Sequence, residues 1–289
     1  MLSQQLINGL TVGSIYALIA IGYGLAYSIL EMINFAHGDT YMFGTFVCLT
    51  FLENGMNPFL SVFLAILIGG LLGVVIERLA YRPLRAASRI APMISAVGVA
   101  LVLRNGAQLI WGPAAYSFPP LLPRVVLFVF GLRLPVLQLY IFAIAAVLVL
   151  AISVLLKRLR LGWAVRAVSQ DLEAARLMGI PVDRVITLIY ALGAGLGVAG
   201  GILYSTYYST VFIGMGFSGT MKAFTACILG GIGNLYGACL GGIVLGVAES
   251  LTAGYVSSAY RDAITFGLLI IMLVFRPSGI LGRKTSQKV

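Results

Sequence analysis

The sequence predicts an all-α polytopic membrane protein, and three observations carry that reading. Of 289 residues, 60% are hydrophobic and only 10% charged, with a mean hydropathy of +1.03. Soluble domains hold roughly 45–50% apolar and about 25% charged residues, so no water-soluble core of this length hides so much apolar surface. Five stretches, at about 5–30, 57–76, 91–111, 136–156 and 184–207, each supply the roughly 20 apolar residues that cross about 30 Å of hydrocarbon. Finally, fourteen of the 19 basic residues are bunched in three places, as topology signals are. Disorder is excluded by the apolar content. The net charge of +10 would suit nucleic acid only as a basic patch on a soluble domain, so the bilayer is the expected partner and nucleic acid is not.

The elements follow in order. The first stretch has no Lys or Arg before Arg78, so it lacks the positive start of a cleavable signal and is expected to be retained. The fourth holds fourteen Leu, Ile, Val or Phe between Val136 and Leu156 and no charge, enough to insert unaided. A sixth, Ile264–Phe275, is short and extends back through Ala259. Two further regions are apolar but interrupted. Tyr41–Leu52 follows the polar break Asn34-Phe35-Ala36-His37-Gly38-Asp39, and Ala223–Ala248 is split by residues 230–237, which include Gly230, Gly231, Gly233, Asn234 and Gly237. Broken segments at membrane depth are tolerated only where protein or a cavity surrounds the freed backbone. The expectation is a single domain over 1–289 with about 8–9 membrane segments, including short or re-entrant interrupted helices.

The basic clusters are Arg78–Arg89, Lys157–Arg184 and Arg276–Lys288, and the positive-inside rule puts all three in the cytoplasm. Parity then requires 211–250 to be a re-entrant pair or two short crossings. It also gives a cytoplasmic C-terminus and an extracytoplasmic N-terminus, unless Tyr41–Leu52 is re-entrant and reverses the start. The outside loop, Gly112–Pro135, carries Pro113, Pro119, Pro120, Pro123 and Pro135, which exclude a continuous helix. Val125–Phe130 and Leu132–Leu134 read as a short extracytoplasmic hairpin turning at Gly131, serving as a cap or as a docking surface.

The cytoplasmic loop 157–183 holds the most informative segment. Ser169 is placed to cap a three-turn helix, with Leu172, Ala175 and Met178 on one face, Gly179 at its end and Pro181 beyond. An amphipathic helix on the inner surface suits a groove in another protein or a bed of lipid headgroups.

Glu173-Ala174-Ala175 followed by Gly179 matches the EAA-x-x-x-G signature of permease subunits in bacterial ABC importers, with Ile189 in place and Ala191-Leu192 where the signature has Leu-Pro. From about Gln5 to Gly282 the chain resembles the branched-chain amino-acid permeases of the LivH type. The landmarks are Asn8-Gly9-Leu10 to Tyr16-Ala17-Leu18, Met32 to Asp39, and Leu229 to Asn234 with Gly237-Ala238. The resemblance implies a permease domain forming half of a path into the cytoplasm for leucine, isoleucine and valine, in the bacterial inner membrane. Its partners would be a second permease, related but distinct, two cytoplasmic ATPases that hold ATP and Mg, and an extracytoplasmic binding protein. Asp171, Leu172, Glu173, Ala174, Ala175, Arg176, Met178 and Gly179 would form the helix that couples to an ATPase. Urea or short-chain amide importers use close relatives of this permease and stand as the alternative.

No enzyme site assembles. His37 is the only histidine, so no triad forms, and paired acids are absent. Gly279–Thr285 fails the spacing of a phosphate-binding loop. Gly195-x-Gly197-x-x-Gly200 lies in an apolar helix, where Gly193, Gly197 and Gly201 read as a close-packing face. Cys48, Cys227 and Cys239 show no ligand spacing, so neither metal nor cofactor is expected in the chain. Asn34, His37 and Asp39 are read as stabilising their break, with a His37–Asp39 proton relay as the rival. Asp39 and Glu249 are expected near water, and Arg104 is expected to snorkel. An ion-coupled secondary transporter is disfavoured because buried acids are scarce. The expected path residues are Asn34, His37, Gly38, Asp39, Thr220, Gly230, Gly231, Gly233 and Asn234.

Overall fold

The structure, a computed structural model, describes residues 2–30, 32–85, 87–88, 90–122, 125–129 and 132–282. The expected turn at Gly131, and the basic residues Arg89, Arg283, Lys284 and Lys288, lie outside them. The helices are α1 (Leu2–Leu30), α2 (His37–Glu53), α3 (Pro58–Ile76), α4 (Ile90–Trp111), α5 (Val136–Arg158), α6 (Arg160–Gln170), α7 (Leu172–Leu177), α8 (Val182–Tyr208), α9 (Met215–Gly230), α10 (Leu235–Tyr255) and α11 (Arg261–Phe275). Among the described residues seven helices are long and apolar enough to cross a membrane, the second of them, α3, running on through a π-turn at Glu77–Tyr81 to Leu84. This is a multi-pass helical membrane protein. α2 and α9, at 17 and 16 residues, fall just short of that length.

The interruptions are narrower than expected. His37, Gly38 and Asp39 are helical and open α2, so the first break is confined to the stretch before His37. The second is confined to Gly231–Asn234, after which Leu235–Tyr255 is a full-length helix. Local chemistry sets several boundaries. Asn57 caps α3 ahead of Pro58, its side chain accepting from Phe59 N at 2.9 Å. Gly112, at φ +83°, ends α4. Strands β1 (Tyr116–Ser117) and β4 (Thr210–Val211) pair antiparallel, as do β2 (Val126–Val129) and β3 (Leu132–Pro135).

Contacts sort the bundle into two ends. At one end Arg82 and Arg85 meet Asp183 at 2.5 and 2.8 Å, and Lys157 lies 4.5 Å over the Tyr236 ring. Ile280 and Leu281 there donate to the carbonyls of Leu229 and Gly230, each at 2.9 Å. The described parts of all three basic clusters therefore share this end. At the other end Gln138 bonds Asn8 at 2.9 Å, Ser250 bonds the Gln5 carbonyl at 2.9 Å, and Trp111 Nε1 bonds Thr50 at 2.8 Å.

Following each helix between the ends exposes an inverted repeat. α1, α3 and α11 run toward the basic end, and α4, α8 and α10 run away from it. α1 packs on α10 and α9 as α8 packs on α3 and α2, while α4 joins α2 as α11 joins α9. Within their most apolar 18-residue stretches, 83% and 78% of the residues of the axis helices α1 and α8 are buried, against 17% for α4 and 6% for the α11 span. They cross at Gly22 and Gly193, where a Cβ on either would lie 2.5–2.6 Å from the other's carbonyl oxygen. Small residues let backbones approach where lipid supplies no hydrophobic drive between helices. Gly197 against the His37 ring and Gly201 against Tyr41 and Thr45 continue that face, so the glycine pattern of α8 is a packing face.

Candidate transport path and coupling helix

The first break is held by side chains. Asn34 Oδ1 accepts from Ala36 N at 3.0 Å and from the Tyr81 hydroxyl at 2.9 Å. His37 Nε2 donates to the Ile19 carbonyl at 3.2 Å, with the edge of Tyr23 against its ring. Gly38 N donates to Thr220 Oγ1 at 3.0 Å, and that hydroxyl donates to the Gly216 carbonyl at 3.0 Å. All these groups are buried. Contact between Gly38 and Gly216, and between the Tyr41 hydroxyl and the Met215 carbonyl, sets the N-termini of α2 and α9 against each other inside the bundle. From there α2 runs to the Trp111 end and α9 to the basic end.

His37 and Asp39 share no hydrogen bond. Asp39 faces α4 instead, where Arg104 Nε and Nη2 donate to its two oxygens at 3.1 and 3.0 Å. Asp39 is fully buried, so the expectation that it faces water is corrected. The snorkelling expected of Arg104 is corrected too, because the guanidinium reaches inward to a carboxylate. Glu249 is likewise buried and not solvated. It lies 3.0 Å from Lys222 Nζ and accepts from the Tyr16 and Thr265 hydroxyls, each at 2.7 Å, tying α1, α9, α10 and α11 together. At the basic end the π-turn aims Glu77 inward to Arg85, with Thr187 donating to its other oxygen at 2.7 Å. Buried acids are therefore more numerous than the sequence reading allows, and each has a partner, as burial of charge demands. Lys222 is the residue the sequence reading passed over. A lone lysine inside an apolar segment was the available signal.

The second break is held by backbone. Gly231 and Gly233 adopt φ +104° and +81°, and Asn234 caps α10 by accepting from Tyr236 N and Gly237 N. The Gly231 backbone presses on Gly282, and Asn234 Nδ2 donates to the Leu281 carbonyl at 3.1 Å. Gly230 and Gly231 are buried, whereas Gly233 is exposed. Thus Asn34, His37, Gly38, Asp39 and Thr220 come together at the bundle centre, and Gly230, Gly231, Gly233 and Asn234 form a separate group at the basic end.

The loop 157–183 departs from expectation in the cap, the face and the length of its helix, which has six residues and not three turns. Ser169 does not begin the helix. α6 ends at Gln170, the chain extends at Asp171 (φ −158°), and Asp171 Oδ1 caps α7 by accepting from Glu173 N and Ala174 N at 2.8 and 2.9 Å. An Asp cap two residues further on outcompetes the serine, whose hydroxyl returns to the Arg166 carbonyl. Leu172, Ala175 and Met178 do not share a buried face. Ala175 is buried, while Leu177 and Met178 are 88% and 82% exposed. Gly179 sits at φ +79° with open space around it. Among the described residues no group of three His, Cys, Asp or Glu is placed to hold a metal ion.

Inverted repeats whose short helices meet at mid-bundle, with paired charges in apolar helices, are the architecture of a membrane transport subunit. The chain belongs to the family described as branched-chain amino acid transport system / permease component, whose model matches residues 5–273. It is 42% identical to the high-affinity branched-chain amino acid transport system permease protein BraD of Pseudomonas aeruginosa, over 99% of this chain and 97% of that one. Identity to the corresponding permease protein LivH of Escherichia coli is 38%, with the same coverage. PsaBC from Streptococcus pneumoniae, solved in complex with Fab, matches at TM-score 0.50 and 15% identity over 94% of this chain and 91% of that one, which shows a shared fold.

Proposed function

We propose that this chain is the permease subunit of an ATP-driven importer in the bacterial inner membrane and forms half of a path for leucine, isoleucine and valine. The relatives named above are permease proteins of branched-chain amino acid transport systems, and the match to them is full-length. In this reading the basic end faces the cytoplasm, the C-terminus with it and the N-terminus outside, and α2 and α9 complete nine membrane segments. Two cytoplasmic ATPases hold the ATP and Mg, an extracytoplasmic binding protein delivers the cargo near the β2–β3 hairpin, and a related second permease forms the other half of the path.

One observation carries the mechanism: α7 stands at the basic end with Leu177 and Met178 bare beside a capped, charged first turn. Two exposed large apolar side chains next to Glu173 and Arg176 suit a groove with an apolar floor and charged rim, as helix-in-groove docking uses. Asp171, Leu172, Glu173, Ala174, Ala175, Arg176, Met178 and Gly179 then transmit ATPase closure to α8, which starts at Val182 and runs along the axis. α2 and α9, meeting at Gly38–Thr220, are the elements placed to respond.

The test is reconstitution of both permeases with the ATPases in liposomes and measurement of ATP-driven uptake delivered by candidate binding proteins. Leucine uptake, lost together with ATPase co-purification in Leu177→Ser/Met178→Ser, is the expected result. Leucine transport with the ATPases still bound to that variant would remove α7 from the coupling role.

A further inference from the structure

Arg104 is the one charged residue of α4, and roughly 10 Å of helix separate it from the Trp111 end. Its Nε and one Nη2 hydrogen face Asp39. Among the described residues its remaining guanidinium hydrogens have no hydrogen-bond partner. The side chain is 31% exposed, and its Cζ lies 5.6 Å from the ring centre of Phe217, itself 53% exposed on α9. A cation at this depth with donors turned outward faces protein or a polar cavity, because hydrocarbon satisfies neither charge nor N–H groups. Snorkelling does not relieve it, since Asp39 anchors the guanidinium toward the bundle centre.

Resting on the transport reading above, we propose that Arg104 lines the path and contacts the α-carboxylate of the amino acid as it passes. The planar guanidinium fork takes a second carboxylate edge-on, which a point charge does not do as well. Asp39 makes the contact brief. The pair is already neutral, so an arriving carboxylate meets a compensated charge and is oriented without being trapped. The other flank of Phe217 supplies the rest of an amino acid's needs. A recess of about 80 Å³ there is lined by Phe217, Met221 and Phe266 with the Lys222–Asp262 ion pair, 3.5 Å apart, in which the Asp262 side chain stays 66% exposed and the lysine lies closer still to Glu249, at 3.0 Å. The apolar groups suit a branched side chain and the carboxylate an ammonium. α4, α9 and α11 thus together present a strip with a cationic edge at Arg104, an aromatic centre at Phe217 and an anionic edge at Asp262, matched to a zwitterion.

Two measurements on the assembled importer decide this. In the first, Asp39→Asn/Arg104→Gln replaces the ion pair by a neutral hydrogen-bonded pair. It is expected to keep ATPase co-purification while leucine uptake falls at least tenfold, with Arg104→Lys falling less. Uptake by the double variant within twofold of the parent chain would reduce the pair to a structural tie and overturn the proposal. In the second, Arg104→Cys is built in a background with Cys48, Cys227 and Cys239 replaced by Ser. An anionic, membrane-impermeant thiosulfonate is expected to modify it in the assembled complex, and no modification would mean a lipid-facing or covered side chain. Leucine uptake by the parent chain judges the transport reading on its own. The labelling uses no cargo, so it judges Arg104 whichever cargo the importer carries.

Discussion

The two interrupted regions look alike in sequence, each a polar or glycine-rich stretch between apolar helices, yet they are built in opposite ways. The first break and the start of α2 sit among α1, α8 and α9, held by the Ile19 carbonyl and by the side chains of Thr220 and Tyr81. Residues 231–234 lie at the basic end, satisfied by glycine dihedrals, one asparagine cap and the chain's own residues 280–281. The first is a fixed joint of the bundle, because several helices must move together to open it. The second is a clasp, because release of one terminal segment frees it.

The sharpest way to break this distinction is at Gly38. A Cβ there would lie 1.9 Å from the Gly216 carbonyl oxygen and 2.1 Å from Thr220 Oγ1, and backbone oxygen has little freedom to yield. Overpacking costs about 1–3 kcal/mol where neighbours relax, and this contact exceeds that case. Gly38→Val is expected to abolish recovery of monodisperse protein in detergent. Normal yield and thermal stability would show that the α2–α9 joint is loose.

A smaller effect is expected at Asn34. Asn34→Ala removes the acceptor shared by Ala36 N and the Tyr81 hydroxyl, and a buried donor left unpaired costs about 1–3 kcal/mol. The variant is expected to insert and assemble but unfold at lower temperature by a few degrees, read from detergent-solubilised protein. Tyr81→Phe removes one of the two bonds and is expected to fall between Asn34→Ala and the parent chain. Equal stability of all three would put the break outside the joint.

Much of this architecture was legible before the structure. Hydropathy marks the long spans, the described parts of the basic clusters fall together at one end, and Gly179 takes the left-handed conformation that its place after a periodic run implies. What was not legible has one physical cause. Residues that pair across the bundle, Asp39 with Arg104 and Lys222 with Glu249, are 65 and 27 positions apart. Each charge read alone looks like a side chain seeking water, and only its partner makes burial the cheaper state. The same holds for the inverted repeat, which shows in which helices pack together. At α7 the competition was local: Ser169 and Asp171 both qualify as caps, and Asp171 wins.

The clasp yields the last and smallest prediction, which separates two neighbouring glycines. Gly231 combines φ +104° with a site where a Cβ would lie 2.4 Å from Gly282 N, whereas Gly233 at φ +81° has only Ser28 Cβ at 4.0 Å. Backbone held in regions that favour glycine costs about 1–3 kcal/mol for another residue, so both alanine variants are strained. Only Gly231→Ala also collides with the terminal segment, and the segment has few bonds to hold it. The expected result is faster proteolytic trimming after Phe275 in Gly231→Ala, with the bundle intact and little change in melting temperature. Gly233→Ala is expected to keep the segment docked and to lose about 1–2 kcal/mol, the cost of the left-handed dihedral alone. Equal trimming of the two variants would mean that the glycine dihedrals, and not the contact with Gly282, hold the second break closed.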